Sequence, residues 1–206
     1  MGKHVAFFAF LIMSICFLSG CAQLITPRVE TALVELRTGE YRLDPEHAAL
    51  LFKVDHMGLS SFVGRFEKFD ASLDFVPEQL ADSRLDAVID MASINVNSTE
   101  FADTLRGSDW FAVRTYPQAH FSTTSVASVE GNIVKFNGVL EFLGVKKPVM
   151  IEVNFRGGAT NMLTAKYTIG FSAIAQFKRS EFGMDKYIPA VGDDVTIEVY
   201  AEFQRN

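Results

Sequence analysis

No cysteine follows residue 21; the two in the chain, Cys16 and Cys21, lie at its extreme N-terminus. The rest of the chain therefore has no thiol for a disulfide, a cysteine-ligated zinc site or a nucleophile. Positive charge is scarce and scattered: 19 Lys and Arg stand against 25 Asp and Glu, for a formal charge of −6. Phosphate neutralisation needs clustered cations, so nucleic acid is excluded as a partner. Catalytic signatures are missing as well. Of the four histidines, His47, His56 and His120 lie beyond the leader at spacings of 9 and 64 that match no metal motif, and no G-x-S-x-G occurs. The acids Asp86 and Asp90 fall on the outward face of a strand. No catalytic residue, resident metal or cofactor is expected. From residue 41 on, no stretch is rich in Pro, Ser or charge for long, and no repeat of fixed period is visible, so one domain is expected over 41–206.

What is present is phenylalanine: 19 in 206 residues, more than double the roughly 4% of an ordinary soluble protein. Only Phe7, Phe8, Phe10 and Phe17 belong to the leader, so the excess is a property of the folded part.

The leader itself is legible. Lys3 precedes an apolar run from Val5 to Leu18 broken only by Ser14, a length that suits a secretory signal better than a membrane-spanning helix of about 20 residues. It ends in Leu18-Ser19-Gly20-Cys21, which resembles the bacterial lipobox, where cleavage precedes the cysteine and its thiol carries diacylglycerol. Residues 1–20 are thus read as a lipoprotein signal peptide, with Cys21 as the lipidated mature N-terminus. Two or three acyl chains, at about 0.8 kcal/mol per buried methylene, hold a protein on a bilayer almost permanently. Ala22 follows Cys21 where an inner-membrane retention aspartate would stand, so by resemblance the expected location is the periplasm, lipid-anchored, at the outer membrane rather than the inner. Residues 21–40 are read as anchor and linker. Within them Ala32–Leu43 suits a strand, a Thr38-Gly39 turn and a second strand slightly better than a helix.

From Tyr41 the hydrophobic period is two. It runs through Leu50, Phe52, Val54 and His56, through Phe69–Phe75, Leu85–Met91 and Val149–Phe155, through Leu163–Ala173, and through Val195–Phe203. Weaker strands fit Ala119–Val126 and Ile133–Phe142. Turn signals separate them, Glu130-Gly131-Asn132 and Gly157-Gly158 among them. Asn97–Val113 is the exception. Asn97 with Glu100 reads as a capping box, Phe101 and Leu105 share a face, and Gly107 is a stop. The fold class expected is all-β: a single antiparallel eight-stranded barrel, with this one short helix near its mouth.

Eight strands either fill their interior with side chains or leave room for one small ligand. The inward rows alternate large with small, Phe69 with Ala71 and Phe171 with Ala173, and carry few polar atoms, those of His56 and Tyr167. Such an interior suits an oily guest, since each five-carbon unit removed from water is worth ~3–4 kcal/mol. A filled core serving as a structural or interaction module remains the alternative at this point.

Several segments carry a family resemblance: Leu43-Asp44-Pro45-Glu46-His47, His56-Met57-Gly58-Leu59-Ser60, Val63-Gly64-Arg65-Phe66, Ala92-Ser93-Ile94-Asn95, Tyr116-Pro117, Gly144–Val149, Arg179–Met184 and Val191–Val195. In this order and spacing they resemble the YceI-like family over nearly all of residues 41–206. The chain departs from that pattern at Thr104-Leu105-Arg106, where the family often has His-Leu-Arg, and at Leu143–Pro148, where it often has His-Gly-Val-Thr-Lys-Pro. The resemblance implies a flared, lipocalin-like periplasmic barrel enclosing a polyisoprenoid or a related amphiphile such as a quinone or fatty-acid derivative, without catalysis. The partners expected are such a lipid and, through the anchor, a membrane; pairing with a second copy as a homodimer is left open. For the apolar chain of the ligand the expected contacts are Phe52, Val54, Phe66, Leu73, Ile89, Phe121, Phe136, Ile151, Phe171 and Phe182 from the barrel. Phe101, Leu105, Trp110 and Phe111 join them from the helix that caps the mouth. His56, Arg65 and Arg179 are the candidates for its head group.

Overall fold

The computed structural model describes residues 27–206. The signal peptide and the lipidation site at Cys21 lie outside the described residues. Ten strands follow one another: β1 Gly39–His56, β2 Ser60–Phe66, β3 Phe69–Phe75, β4 Arg84–Asp90, β5 Ile94–Asn95, β6 Gln118–Glu130, β7 Ile133–Phe142, β8 Val145–Thr160, β9 Tyr167–Lys178 and β10 Val191–Arg205. Among the described residues the one α-helix, α1, is Thr99–Arg106.

Antiparallel pairing runs β1–β3–β4–β6–β7–β8–β9–β10 and closes from β10 back onto β1, an eight-stranded closed barrel. Strand β1 carries the closure. One edge follows β10 from Tyr41 to His56, while the other pairs first with β3, over Gly39–Arg42, and then with β2, over Leu50–His56. Its register against β10 breaks between Leu43 and Ala48. The bulge holds Pro45, which has no N–H to give to a ladder. Because β2 pairs onward with the two-residue β5 while β3 pairs with β4, the wall divides towards one end, and α1 follows β5 at that division. Arg106 ties the helix down, donating from Nε to the Ala92 carbonyl (2.8 Å) and from Nη2 to that of Ile94 (2.8 Å).

Local chemistry sets the helix ends. Ser98, not Asn97, is the cap: its hydroxyl accepts from the Phe101 N–H at 3.2 Å, so Glu100 falls in the first turn and no capping box forms. Gly107 closes the helix, as its position suggested. Three strand expectations are corrected. Residues 32–43 form no hairpin. Leu33–Glu35 make a single 3₁₀ turn, and Leu33 and Leu36 bury themselves against the barrel end where β1 begins. Strand β9 starts at Tyr167 and not at Leu163, because Asn161 closes a turn onto Lys166 and leaves Leu163 87% exposed. Gly157-Gly158 is not a turn between strands but a bulge inside β8. There Glu30 bridges to Gly158, and Gly157, at φ +131°, lies so close to Val29 and Glu30 that any side chain would collide.

The segment Arg28–Thr38, the 3₁₀ turn Pro77–Asp82 and the β6–β7 turn therefore gather at one end, which they seal. Two polar anchors hold the seal. Tyr41 Oη donates to the Arg37 carbonyl at 2.5 Å, and Tyr167 Oη to Glu30 Oε2 at 2.6 Å. Burial pushes the Tyr41 hydroxyl up to about 12, and burial followed by the Glu30 carboxylate pushes Tyr167 higher still, so both stay protonated donors. Tyr167 is thus part of the seal and not the polar lining its strand position suggested. The opposite end is the mouth, where α1, the β1–β2 turn and the loops 107–117 and 183–190 lie.

Candidate functional site

Along each strand the inward residues are apolar and the outward ones wet, and the inward rows meet in register. One rung passes through Phe52, Ile197, Ala175, Ile151 and Phe136 on five successive strands. Small residues recur on these rows, as Ala71, Ala87, Ala119, Ala173, Ala175 and Ala201. Two glycines complete the device. A side chain at Gly64 would collide with the ring of Phe52, and one at Gly138 with the ring of Phe121. The tip of each of these rings sits against the bare backbone of a neighbouring strand, in the space a side chain would need. The phenylalanines consequently surround space, a cavity of about 530 Å³, within the range of sites that hold a small molecule. The interior is not filled by its own side chains.

The lining is ordered from the sealed end to the mouth. Deepest are Leu73, Phe75, Phe155, Phe171 and Phe203; at mid-height lie Phe52, Phe121, Phe136 and Ile151; nearer the mouth come Val54, Phe66, Ile89, Leu105 and Phe111. His56, Phe101 and Tyr187, all exposed, and Trp110 carry the lining out to solvent. A chain of ring contacts frames the upper part, from Phe101 through Phe62, Phe52, Phe66, Phe111 and Phe142 to Phe182, with centroids 5.5–6.3 Å apart. Such pairs add about 0.5–1.5 kcal/mol each beyond burial and hold the opening in shape. Over the mouth, Lys186 Nζ donates to Asp109 Oδ2 at 2.8 Å and Trp110 faces Tyr187 at 6.0 Å, so the two loops meet across the opening. The bonded ammonium holds the Asp109 carboxyl below the usual carboxylate range.

Polar atoms that reach the wall are mostly engaged with it. Low on the β4 side, the Ser83 hydroxyl accepts from Val76 N, Thr123 Oγ1 accepts from Leu85 N, and Arg84 Nη1 donates to the carbonyls of Ala81 and Ser83. The cavity therefore offers hydrocarbon along its length, and a polar group placed inside would go unpaired at a cost of ~1–3 kcal/mol. The groups left for a polar head are His56 and Tyr187 at the mouth.

Of the seventeen residues expected to contact ligand, two do not reach the cavity. Arg65 points outward from β2 and pairs with Glu67 at 2.7 Å, because Gly64 and Phe66 take the inward positions. Phe182 is 2% exposed behind the wall, packed on Phe142 and Phe177. A third needs a different role. Arg179 borders the cavity, yet its guanidinium donates to the carbonyls of Met184, Lys186, Val191 and Gly192 at 2.8–3.0 Å and is 2% exposed. It staples the mouth loop to β10 rather than greeting a head group. The reading of the sequence omitted Phe62, Phe69, Phe75, Leu140, Phe155, Phe177 and Phe203, which also line the space. Phe69, Phe75, Phe155 and Phe203 were on the alternating rows, so the signal was present. Phe62 and Tyr187 come from the division of the wall and from a loop, which period two does not report.

The histidines do not converge. His56 is at the mouth, His120 faces outward from β6, and His47 sits in the β1 bulge. There His47 Nδ1 lies 3.0 Å from Asp44 Oδ2, and Glu202 completes a trio on the outer wall in which Asp44 is half-buried and the other two are exposed.

The profile of the YceI-like domain matches residues 41–203 of this barrel. The chain belongs to the YceI-like family. It is 30% identical to protein YceI of Escherichia coli O6:H1 over 165 residues, 79% of this chain and 85% of that one. It is similar in structure to BcnA of Burkholderia cenocepacia, with a TM-score of 0.71 and 27% identity over 78% of this chain and 98% of that one. It shares its fold with a polyisoprenoid binding domain from Saccharophagus degradans, with a TM-score of 0.64 and 16% identity over 82% of this chain and all of that domain. The YceI-like barrel here is thus an eight-stranded fold whose interior is open.

Proposed function

We propose that this YceI-like protein is a membrane-anchored carrier that holds one polyisoprenoid or quinone-like lipid in its barrel and does no chemistry on it. The observation that carries the reading is the hollow interior. About 530 Å³ of apolar space remains, with the tips of two rings seated against glycines, and most of its polar lining atoms are satisfied by the wall. A solid structural module has no use for that arrangement. Burying ten methylenes there is worth ~8 kcal/mol, enough to dominate affinity without a specific head-group contact. The polyisoprenoid binding named for the Saccharophagus degradans domain supports a ligand of this class. The lipobox-like Leu18–Cys21 supports lipid attachment at Cys21 and a periplasmic site at the outer membrane, where such a lipid needs shelter from water.

The test is mass spectrometry of organic extracts of protein lacking residues 1–21, a deletion that removes none of the described residues, purified without detergent. One equivalent of an apolar lipid is expected. No extractable lipid, together with no uptake of added ubiquinone, overturns the reading.

A further inference from the structure

Both ends of the barrel expose apolar side chains, and the exit of the chain distinguishes them. At the mouth these are Met57, Leu59, Phe101, Tyr187 and Ile188; at the sealed end they are Val29, Val34, Val129, Ile133, Met162 and Leu163. Solvent-exposed side chains of this kind, gathered at one end, mark a surface that meets something apolar. The N-terminal segment leaves at the sealed end: Glu30 is bridged to Gly158, and Val29 lies on Gly157, next to the β8–β9 turn that carries Met162 and Leu163.

We infer that the sealed end rests on the anchoring bilayer, with Leu163 and Met162 dipping into its interface, and that the mouth points away from that membrane. The inference rests on the lipid attachment at Cys21 proposed above. The six residue-to-residue steps from Cys21 to Pro27 span at most about 22 Å when fully extended. Strand β10, of 15 residues, rises about 35 Å along the barrel axis at the tilt of such barrels. The tether is too short to turn an upright barrel over. Apolar tips at a turn insert to the level of the head groups. The exposed rings at the mouth are then free for exchange with an acceptor beyond the anchoring membrane.

The chain's single tryptophan, Trp110, reports on the mouth directly. The full chain, lipidated in a bacterial host, is placed in phosphatidylethanolamine–phosphatidylglycerol vesicles containing phospholipids brominated on their acyl chains. Flotation with the vesicles reads the anchor; quenching of tryptophan reads the orientation. In the native chain Trp110 is expected to stay unquenched. In the Trp110→Phe, Leu163→Trp chain, altered at an exposed turn, fluorescence is expected to be quenched several-fold more. Flotation with quenching of Trp110, or without quenching at Leu163→Trp, overturns the orientation alone. Failure to float overturns the anchor and the orientation together, and leaves the cavity's ligand to the extraction test.

Discussion

The two ends of the barrel use the same residue type to opposite effect. At the sealed end Tyr41, Phe75, Phe155, Phe171 and Phe203 pack ring on ring, Phe75 stacked on Phe155 at 5.3 Å, with Tyr41 and Phe75 each 1% exposed. Leu33 and Leu36 close over them, and the two tyrosine hydroxyls are hydrogen bonded. At the mouth, Phe101 is 38% exposed and Tyr187 60%, and the loops above are joined by one exposed ion pair. The sealed-end rings floor the cavity while packed on one another, whereas those at the mouth stand open to solvent. One molecule thus separates a region that supplies stability from one left loose enough to admit a guest.

That contrast can be broken most strongly by truncating one ring at each end. Phe75→Ala should cost ~3–5 kcal/mol of unfolding free energy, because the site is enclosed and cannot collapse around the void. Phe101→Ala should cost under about 1 kcal/mol and instead weaken lipid uptake. Urea unfolding and a ligand titration of both variants check this, and equal losses of stability would erase the distinction. Next in size is Gly138→Ala. The new methyl meets both the Phe121 ring and the Ser122 carbonyl oxygen; displacing the ring is expected to cost ~1–3 kcal/mol of stability and to lower bound lipid markedly. Unchanged lipid content would mean that the glycine does not keep the barrel hollow.

The smallest effect concerns the mouth pair. Lys186→Ala should leave stability close to that of the native chain, since both partners are exposed, and speed exchange of bound lipid. Because Lys186 depresses the Asp109 pKa, the pair's contribution is fully present above the ordinary aspartate value near 3.9 and is lost as pH falls through the lowered one. Lipid exchange in the native chain should therefore be flat from neutral pH down to about 4 and accelerate only below it, while the Lys186→Ala protein lacks that step. A step near neutral pH would show that another group latches the loops.

The barrel and most of its lining were readable because an antiparallel strand wet on one side writes its facing into a period of two, and Phe52, Phe136, Ile151 and Phe171 fell on the inward rows accordingly. Reading failed where the backbone leaves that period. Arg65 offers a donor for a polar head in sequence, but Gly64 and Phe66 on either side of it take the inward positions and turn it to solvent. Arg179 was taken for a ligand donor because a lone arginine shows none of the four carbonyls that its loop folds back to present. Leu163 continued an apolar alternation straight through a turn, and Gly157-Gly158 imitated one inside a strand.

By itself the amino-acid order determined the strands, their wet and dry faces, and the helix that stops at Gly107, all properties of neighbours along the chain. Only the tertiary structure decided that the interior is hollow. Whether two inward rings touch or stand apart depends on how wide the strands close and on whether a bare glycine on the next strand leaves room for the tip of a ring. Both are relations between residues far apart in sequence, such as Phe52 with Gly64 and Phe121 with Gly138, and no local pattern encodes the distance across a barrel.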